Sequence, residues 1–246
     1  MTTDDRLYPR ETFKSASPVL NRYVKLFFKV AIEELAINLG NKPLPTKAAA
    51  YLAEANRRID RLFESGRNKR MPRFIPSDAP AIYNALDFLT REDLPLGRVY
   101  CEWGSGYGIG ACFAALLGYE AYGIEIEEEL VHSSEKLADD FDIKIQIINS
   151  DYMPEGFECG NGIGGAELVR PEQQAFGQEN FDDVARYEGM DHGLDEVDLF
   201  FIYPWPGEQE FVQEFFHAVA ADGAILLAYY GENDLCAYRK TAASFD

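Results

Sequence analysis

The segment Cys101-Glu-Trp-Gly-Ser-Gly-Tyr-Gly-Ile-Gly110 constrains most strongly what this chain can fold into. Glycines 104, 106, 108 and 110 stand between a short β-rich run, 98–103, and a helix of small residues, 109–117. A chain leaving a strand and entering a helix there must turn tightly, and it brings backbone N–H groups toward a ligand. Beyond the glycines the hydrophobic period switches back and forth. It predicts strands at 121–126, 143–148, 197–203 and 224–230, with helices at 127–141 and 208–220. Strands alternating with crossover helices imply a parallel sheet with helices on both faces. The expected class is therefore α/β, doubly wound and mostly parallel, with a ligand site where strand order reverses at the carboxyl ends. The dinucleotide pattern G-x-G-x-x-G does not fit from Gly104, because Ile109 occupies its last position. From Gly106 the pattern ends at Ala111.

Acidic residues sit at the ends of three successive predicted strands: Glu102, Glu125 and Asp151, the last in Asn149-Ser-Asp-Tyr152. In a parallel sheet they fall on one edge. A carboxylate at position 102 would repel a pyrophosphate and suits a cationic ligand carrying an ammonium or a sulfonium. Glu125 is placed to accept the hydroxyl protons of a ribose. Asp151 is placed to accept a hydrogen bond from an adenine amino group. Taken singly, each is equally explained by solvation of a strand end or by a helix cap.

With these residues, 98–154 resembles the cofactor half of the class I S-adenosylmethionine-dependent methyltransferases. Gly-Ile-Glu125-Ile-Glu-Glu-Glu-Leu-Val131 is typical of that family's second strand and following helix. The resemblance implies S-adenosyl-L-methionine as cofactor, with Glu102 and the glycine loop at its methionine end, Glu125 at the ribose and Asp151 at the adenine. Trp103, Gly104, Ser105, Gly106, Gly108, Ile126 and Tyr152 complete the implied cofactor set. Arg73-Phe-Ile-Pro-Ser77 is similar to a segment of small protein-lysine methyltransferases. The fourth strand of the α/β part ends in Tyr203-Pro-Trp-Pro206, where the family places residues beside the transferred methyl group. Tyr203, Pro204 and Trp205 are thus candidates for the methyl-facing wall, with packing under the next helix as the alternative. This is not the Asp/Asn-Pro-Pro-aromatic motif of methyltransferases acting on nucleobases. About 16 residues follow the fifth strand, so the family's last two strands are missing or unrecognisable. A shortened sheet, an early chain end, or an edge covered by N-terminal helices would each account for that.

The chain has 246 residues and a net charge of −19, unevenly spread. Residues 1–97 carry 16 Lys and Arg against 12 Asp and Glu, whereas 98–246 carry 7 against 30. Such an acidic balance argues against a nucleic-acid partner, which needs a basic footprint. It suits a cationic partner, or simply keeps the protein in solution. Residues 1–16 read as a mobile tail and 17–90 as a helical N-terminal extension, with helices at 17–39, 46–65 and 79–90. Residues 91–246 read as the cofactor domain, with an irregular insert at 156–196 that is either a lid or disordered. His192, near the end of that insert, is a candidate proton acceptor. His132 and His217 read as surface or packing residues. The basic run 67–73 reads as a linker or as a loop facing the site. Cys101, Cys112, Cys159 and Cys236 lack CxxC or metal-ligand spacing and read as reduced thiols, so no metal is expected. There is no apolar run long enough to span a membrane and no signal-like start, so a cytoplasmic location is expected.

The expected function is methyl transfer from S-adenosylmethionine to an unidentified acceptor, a protein lysine or a small molecule. A non-catalytic cofactor-binding module of the same fold is the alternative. A nicotinamide-dependent oxidoreductase is disfavoured by Glu102 and Ile109.

Overall fold

The computed structural model describes residues 32–40, 42–153, 186–231 and 234–242. The tail expected at 1–16, the first 15 residues of the helix expected at 17–39, and most of the insert expected at 156–196 lie outside them.

One sheet organises the described residues. Its strands are β1 (Ile32–Leu35), β2 (Val99–Trp103), β3 (Glu120–Glu125), β4 (Gln146–Asn149), β5 (Leu199–Ile202), β6 (Ile225–Gly231) and β7 (Asp234–Lys240). Their spatial order is β1-β7-β6-β5-β2-β3-β4. The five strands from β4 through β6 run parallel, whereas β7 is antiparallel to both β6 and β1. From β2 the chain moves outward through β3 to β4, then returns to place β5 on the other side of β2. Strand order therefore reverses between β2 and β3 on one side and β5 on the other. At such a point the flanking connections part and leave a crevice at the carboxyl ends.

Among the described residues, five α-helices cover the sheet: α1 (Thr46–Glu64), α2 (Ala79–Arg91), α3 (Ile109–Leu116), α4 (Glu128–Asp140) and α5 (Gln209–Val219). In α1 the buried residues Ala48, Tyr51, Leu52, Ala55, Ile59 and Leu62 recur at threes and fours, which makes one apolar stripe. Asp78 starts α2 by accepting the Ala81 N–H at 3.1 Å. Alternation along the strands divides the core in two. Tyr100, Phe201 and Leu227 face a cluster with α1 to α4, while Cys101, Trp103, Phe200 and Leu226 face a second cluster with α5. In the second, Trp103 packs against Phe200 and Phe215 in tilted arrangements, each ring centroid 4.7 Å away.

Two expectations are corrected. Residues 32–35, expected within a helix, form β1 and pair with β7 from Ile32–Lys240 to Leu35–Ala237. A spacing of three puts Ile32 and Leu35 on one stripe of a helix but on opposite faces of a strand. Here each packs against a different core cluster. Pairing with an open sheet edge overrode the local period. The sheet is also not shortened: β7 follows β6 in an antiparallel hairpin, and β1 supplies the strand beyond it. The 17–90 extension is therefore not wholly helical. Its first described element completes the sheet.

Candidate functional site

The glycine loop leaves β2 by doubling back against β3. Gly104 and Ser105 both donate N–H bonds to the Ile124 carbonyl at 2.9 Å, and Gly106 donates to the Glu125 carboxylate at 2.7 Å. Gly108 donates to the Ser105 carbonyl at 2.7 Å and stands left-handed (φ 64°) at the start of α3. Gly106 lies at φ 54°, and a Cβ there would come within 2.9 Å of the Phe74 ring. Glycine is required twice over at that position, by backbone conformation and by contact.

Glu102 projects from β2 toward the first turn of α3, only 5 % exposed, and its Oε2 accepts the Ala111 N–H at 2.8 Å. The Gly110 N–H also bonds to it. The amides of 104, 105, 106, 108, 110 and 111 are thus all satisfied within the protein. This narrows the expectation that the loop offers its N–H groups to a ligand: these six are turned inward, the helix N-terminus holds the chain's own carboxylate, and only the amides of Tyr107 and Ile109 make no hydrogen bond with a described residue. Burial raises the Glu102 carboxyl to about 8, with Glu125 adding to the rise and the Ala111 and Gly110 N–H groups opposing it.

Glu125, at the carboxyl end of β3, is 6 % exposed. Its two oxygens accept N–H bonds from Gly106 at 2.7 Å and Glu127 at 2.9 Å, and each keeps a further lone pair. Burial raises its carboxyl, and those two N–H groups restrain the rise. Beyond β4, Asp151 accepts the Met153 N–H at 3.0 Å, which fixes a local turn. Asn149 ties this edge together, its side-chain amide donating to the carbonyls of Glu125 and Ile126 at 3.0 Å.

These elements enclose a cavity of about 370 Å³, a volume suited to a small molecule. Its lining includes Glu102, Trp103, Gly104, Ser105, Gly106, Glu125, Ile126, Asp151 and Tyr152 on one side, and Tyr203, Pro204 and Trp205 on the other. Of the expected site residues only Gly108 is absent from the lining; a Cβ there would face Ser134, Ile145 and Ile147. Trp103 reaches the cavity at its edge only, since its ring is committed to Phe200 and Phe215. The proton-acceptor role considered for His192 does not hold. Its Nε2 lies 3.3 Å from Glu120, at the opposite end of β3 from Glu125. Five steps along a strand separate those ends by about 16 Å.

Three further residues contribute: Arg73 and Phe74, from the runs 67–73 and 73–77 marked in the sequence, and Glu208, which the sequence did not single out. Phe74 packs between Phe63 and Tyr107, with centroids at 6.2 and 5.7 Å, and roofs the glycine loop. Its neighbour Arg73 lines the cavity. Glu208 closes a tight turn, Trp205-Pro-Gly-Glu208, in which its N–H donates to the Trp205 carbonyl at 3.0 Å and its Oε2 accepts the Trp205 N–H at 3.1 Å. The turn presents Trp205, 38 % exposed, beside a carboxyl that burial raises. Pro206-Gly207 is a turn signal readable in sequence. The sequence marks Phe74 only as part of the segment Arg73–Ser77, not as a cover over the glycine loop.

The sequence matches no family model and no curated protein. Among solved structures, the chain is similar to an RNA methyltransferase from Salinibacter ruber in complex with S-adenosyl-L-homocysteine, at 16% identity and a TM-score of 0.45, covering 70% of this chain and 97% of that one. It is similar to a methyltransferase from Geobacter sulfurreducens, at 12% identity and a TM-score of 0.46, covering 91% and 98% of the two chains. It is also similar to a SAM-dependent methyltransferase from Thiobacillus denitrificans in complex with S-adenosyl-L-homocysteine, at 17% identity and a TM-score of 0.35. That match covers 58% of this chain and spans 46% of the other. Among the described residues no helix is long and apolar enough to cross a membrane, and no cluster of three potential ligands could hold a metal ion.

Proposed function

We propose that the chain is an S-adenosylmethionine-dependent methyltransferase. The observation that carries this reading is the inward-turned glycine loop. A pyrophosphate needs the amides at the start of α3, but Glu102, which lines the cavity, already accepts the Ala111 N–H. A nicotinamide or flavin dinucleotide would have to bring its pyrophosphate against the Glu102 carboxyl group. A cation beside Glu102 is favoured instead, because it offsets the cost of ionising a buried carboxyl.

S-adenosylmethionine fits these residues: it supplies a methyl group on positively charged sulfur, carries an ammonium, and has no phosphate. Glu102 with Gly104, Ser105 and Gly106 would hold its amino-acid end. Gly104 has open space around it, so backbone there can be approached closely. Glu125 retains lone pairs for the ribose hydroxyls, and Asp151 has an oxygen free of the Met153 bond for the adenine amino group. Ile126, 58 % exposed at the cavity, would cover the base.

Methyl transfer asks the protein to align a nucleophile in line with the methyl group and to exclude water, with no dedicated base required. Tyr203, Pro204 and Trp205 form the wall on that side. Tyr203 is braced by Tyr229, the ring centroids 4.9 Å apart. An aromatic face beside the Glu208 carboxyl suits an acceptor amine, on a basic protein or a small molecule. The net charge of −19 favours a cationic acceptor over a nucleic acid. Incubation with methyl-labelled S-adenosylmethionine, a lysine-rich protein and a panel of small amines tests this. Label on an amine nitrogen is the expected result. Cofactor binding with no transfer to any acceptor in the panel would favour the non-catalytic alternative.

A further inference from the structure

The cavity's charges do not balance the ligand proposed for it. Among the described residues lining the cavity are five carboxyl groups, Glu102, Glu125, Glu127, Asp151 and Glu208, and a single cationic side chain, Arg73. The amino-acid end of S-adenosylmethionine carries an ammonium and a carboxylate. Glu102 answers the ammonium. Most of the glycine-loop amides are closed to the carboxylate, because those of 104, 105, 106, 108, 110 and 111 are satisfied inside the protein, which leaves only those of Tyr107 and Ile109. A carboxylate among five acidic side chains with no cationic partner would be strongly disfavoured.

Arg73 is positioned to supply the donors. Its backbone is pinned on both sides: Met71 is buried, and Phe74 donates its N–H to the Met71 carbonyl at 3.0 Å while its ring lies on Gly106. The residue is thereby held beside the glycine loop, where the amino-acid end would lie. Its side chain is exposed and makes no hydrogen bond, and no ion pair within 4.0 Å, with a described residue. It comes near enough to Glu208 to oppose the rise of that carboxyl. Arg73 thus stands where the glycine loop meets the Tyr203–Glu208 segment.

We propose that Arg73 is the residue that holds the α-carboxylate of the cofactor's amino-acid end, its planar guanidinium offering two parallel N–H donors. The assignment rests on the methyltransferase reading and adds a specificity element to it. Arg73 would make the site select the complete amino-acid cofactor over other adenosyl thioethers.

The test is calorimetric titration of the wild-type chain, Arg73→Gln and Arg73→Lys with two ligands. One is S-adenosylhomocysteine; the other is 5′-deoxy-5′-methylthioadenosine, the same adenosine thioether without the amino-acid end. The wild-type chain should bind both, S-adenosylhomocysteine more tightly. Arg73→Gln should weaken S-adenosylhomocysteine about 10- to 100-fold and leave methylthioadenosine within about twofold. Arg73→Lys should fall between, because it keeps the charge but loses the two-pronged geometry. Because Arg73 makes no hydrogen bond or ion pair within 4.0 Å with a described residue, both variants should unfold at the wild-type temperature. Unchanged S-adenosylhomocysteine affinity in Arg73→Gln would overturn the assignment, and so would an equal loss for both ligands. A wild-type chain that binds neither ligand would overturn the methyltransferase reading itself, and the assignment with it.

Discussion

The two ends of β3 carry the same residue in opposite circumstances. Glu120, at the amino end, is exposed; it accepts the Tyr122 hydroxyl at 2.5 Å and faces His192 at 3.3 Å. Those two partners lower its carboxyl from the ordinary value, the tyrosine hydroxyl contributing most. Glu125, at the carboxyl end, is buried, accepts only backbone N–H groups, and has its carboxyl raised by burial. Glu102, at the same end of β2, is raised further. The difference lies in topology. At the amino end the sheet meets solvent and a surface turn, whereas at the carboxyl end the reversal of strand order opens a crevice that the glycine loop and Phe74 partly roof. A carboxyl group kept out of water without a cationic partner is costly for the fold, and that cost is recovered if a ligand supplies the positive charge.

The largest test of this contrast is pH-dependent stability. Folded Glu102 keeps its proton up to about 8, whereas in the unfolded chain it ionises near the ordinary carboxyl value. Between those points the native state binds more protons, so stability should fall as pH rises from about 5 to about 8 and then level off. Urea unfolding across that range should show Glu102→Gln losing less stability than wild type, by on the order of a few kcal/mol. Parallel curves would mean Glu102 is ionised throughout. For Glu120 the sign is opposite: its contribution is present at neutral pH and lost in acid, and its exposure keeps it small.

Next is ligand affinity. Glu125→Ala removes charge-assisted hydrogen bonds worth about 1.5–3 kcal/mol, so S-adenosylhomocysteine should bind about 10- to 150-fold more weakly. Affinity equal to wild type would remove Glu125 from the ribose. Smaller still is Gly106→Ala, which puts a side chain at φ 54° and against Phe74. It should cost about 1–2 kcal/mol in denaturant unfolding, and a neutral result would contradict both the left-handed backbone and the close Phe74 contact at that position. Glu120→Ala should change stability by no more than about 0.5 kcal/mol and leave ligand affinity untouched. A clear loss of affinity in that variant would break the distinction between the two ends of the strand.

Much of the architecture was legible because the α/β part announces itself by period and punctuation. α1 to α5 and β2 to β6 fall where hydrophobic spacing and the glycines put them, within a few residues at each end. β1 was misread because Ile32 and Leu35 suit either state, and what decided between them was an edge formed by β7, some 200 residues later in the chain. The acidic residues were legible as strand-end positions. The role of Glu102 was only half legible, since sequence shows that a carboxylate precedes the glycines but not that Ala111 and Gly110 turn their N–H groups to it. Phe74, Arg73 and Glu208 come from loops whose paths depend on packing, Phe74 against Phe63 and Tyr107, and Glu208 through the turn it closes with Trp205.

The central claim is that the crevice at the carboxyl ends takes an adenosyl cofactor with a cationic centre, not a dinucleotide. Calorimetric titration of the wild-type chain with S-adenosylhomocysteine and, separately, with NADH tests it most directly. The account predicts binding of S-adenosylhomocysteine at micromolar concentration, about −8 kcal/mol, and no heat with NADH. Saturable binding of NADH without S-adenosylhomocysteine would contradict it.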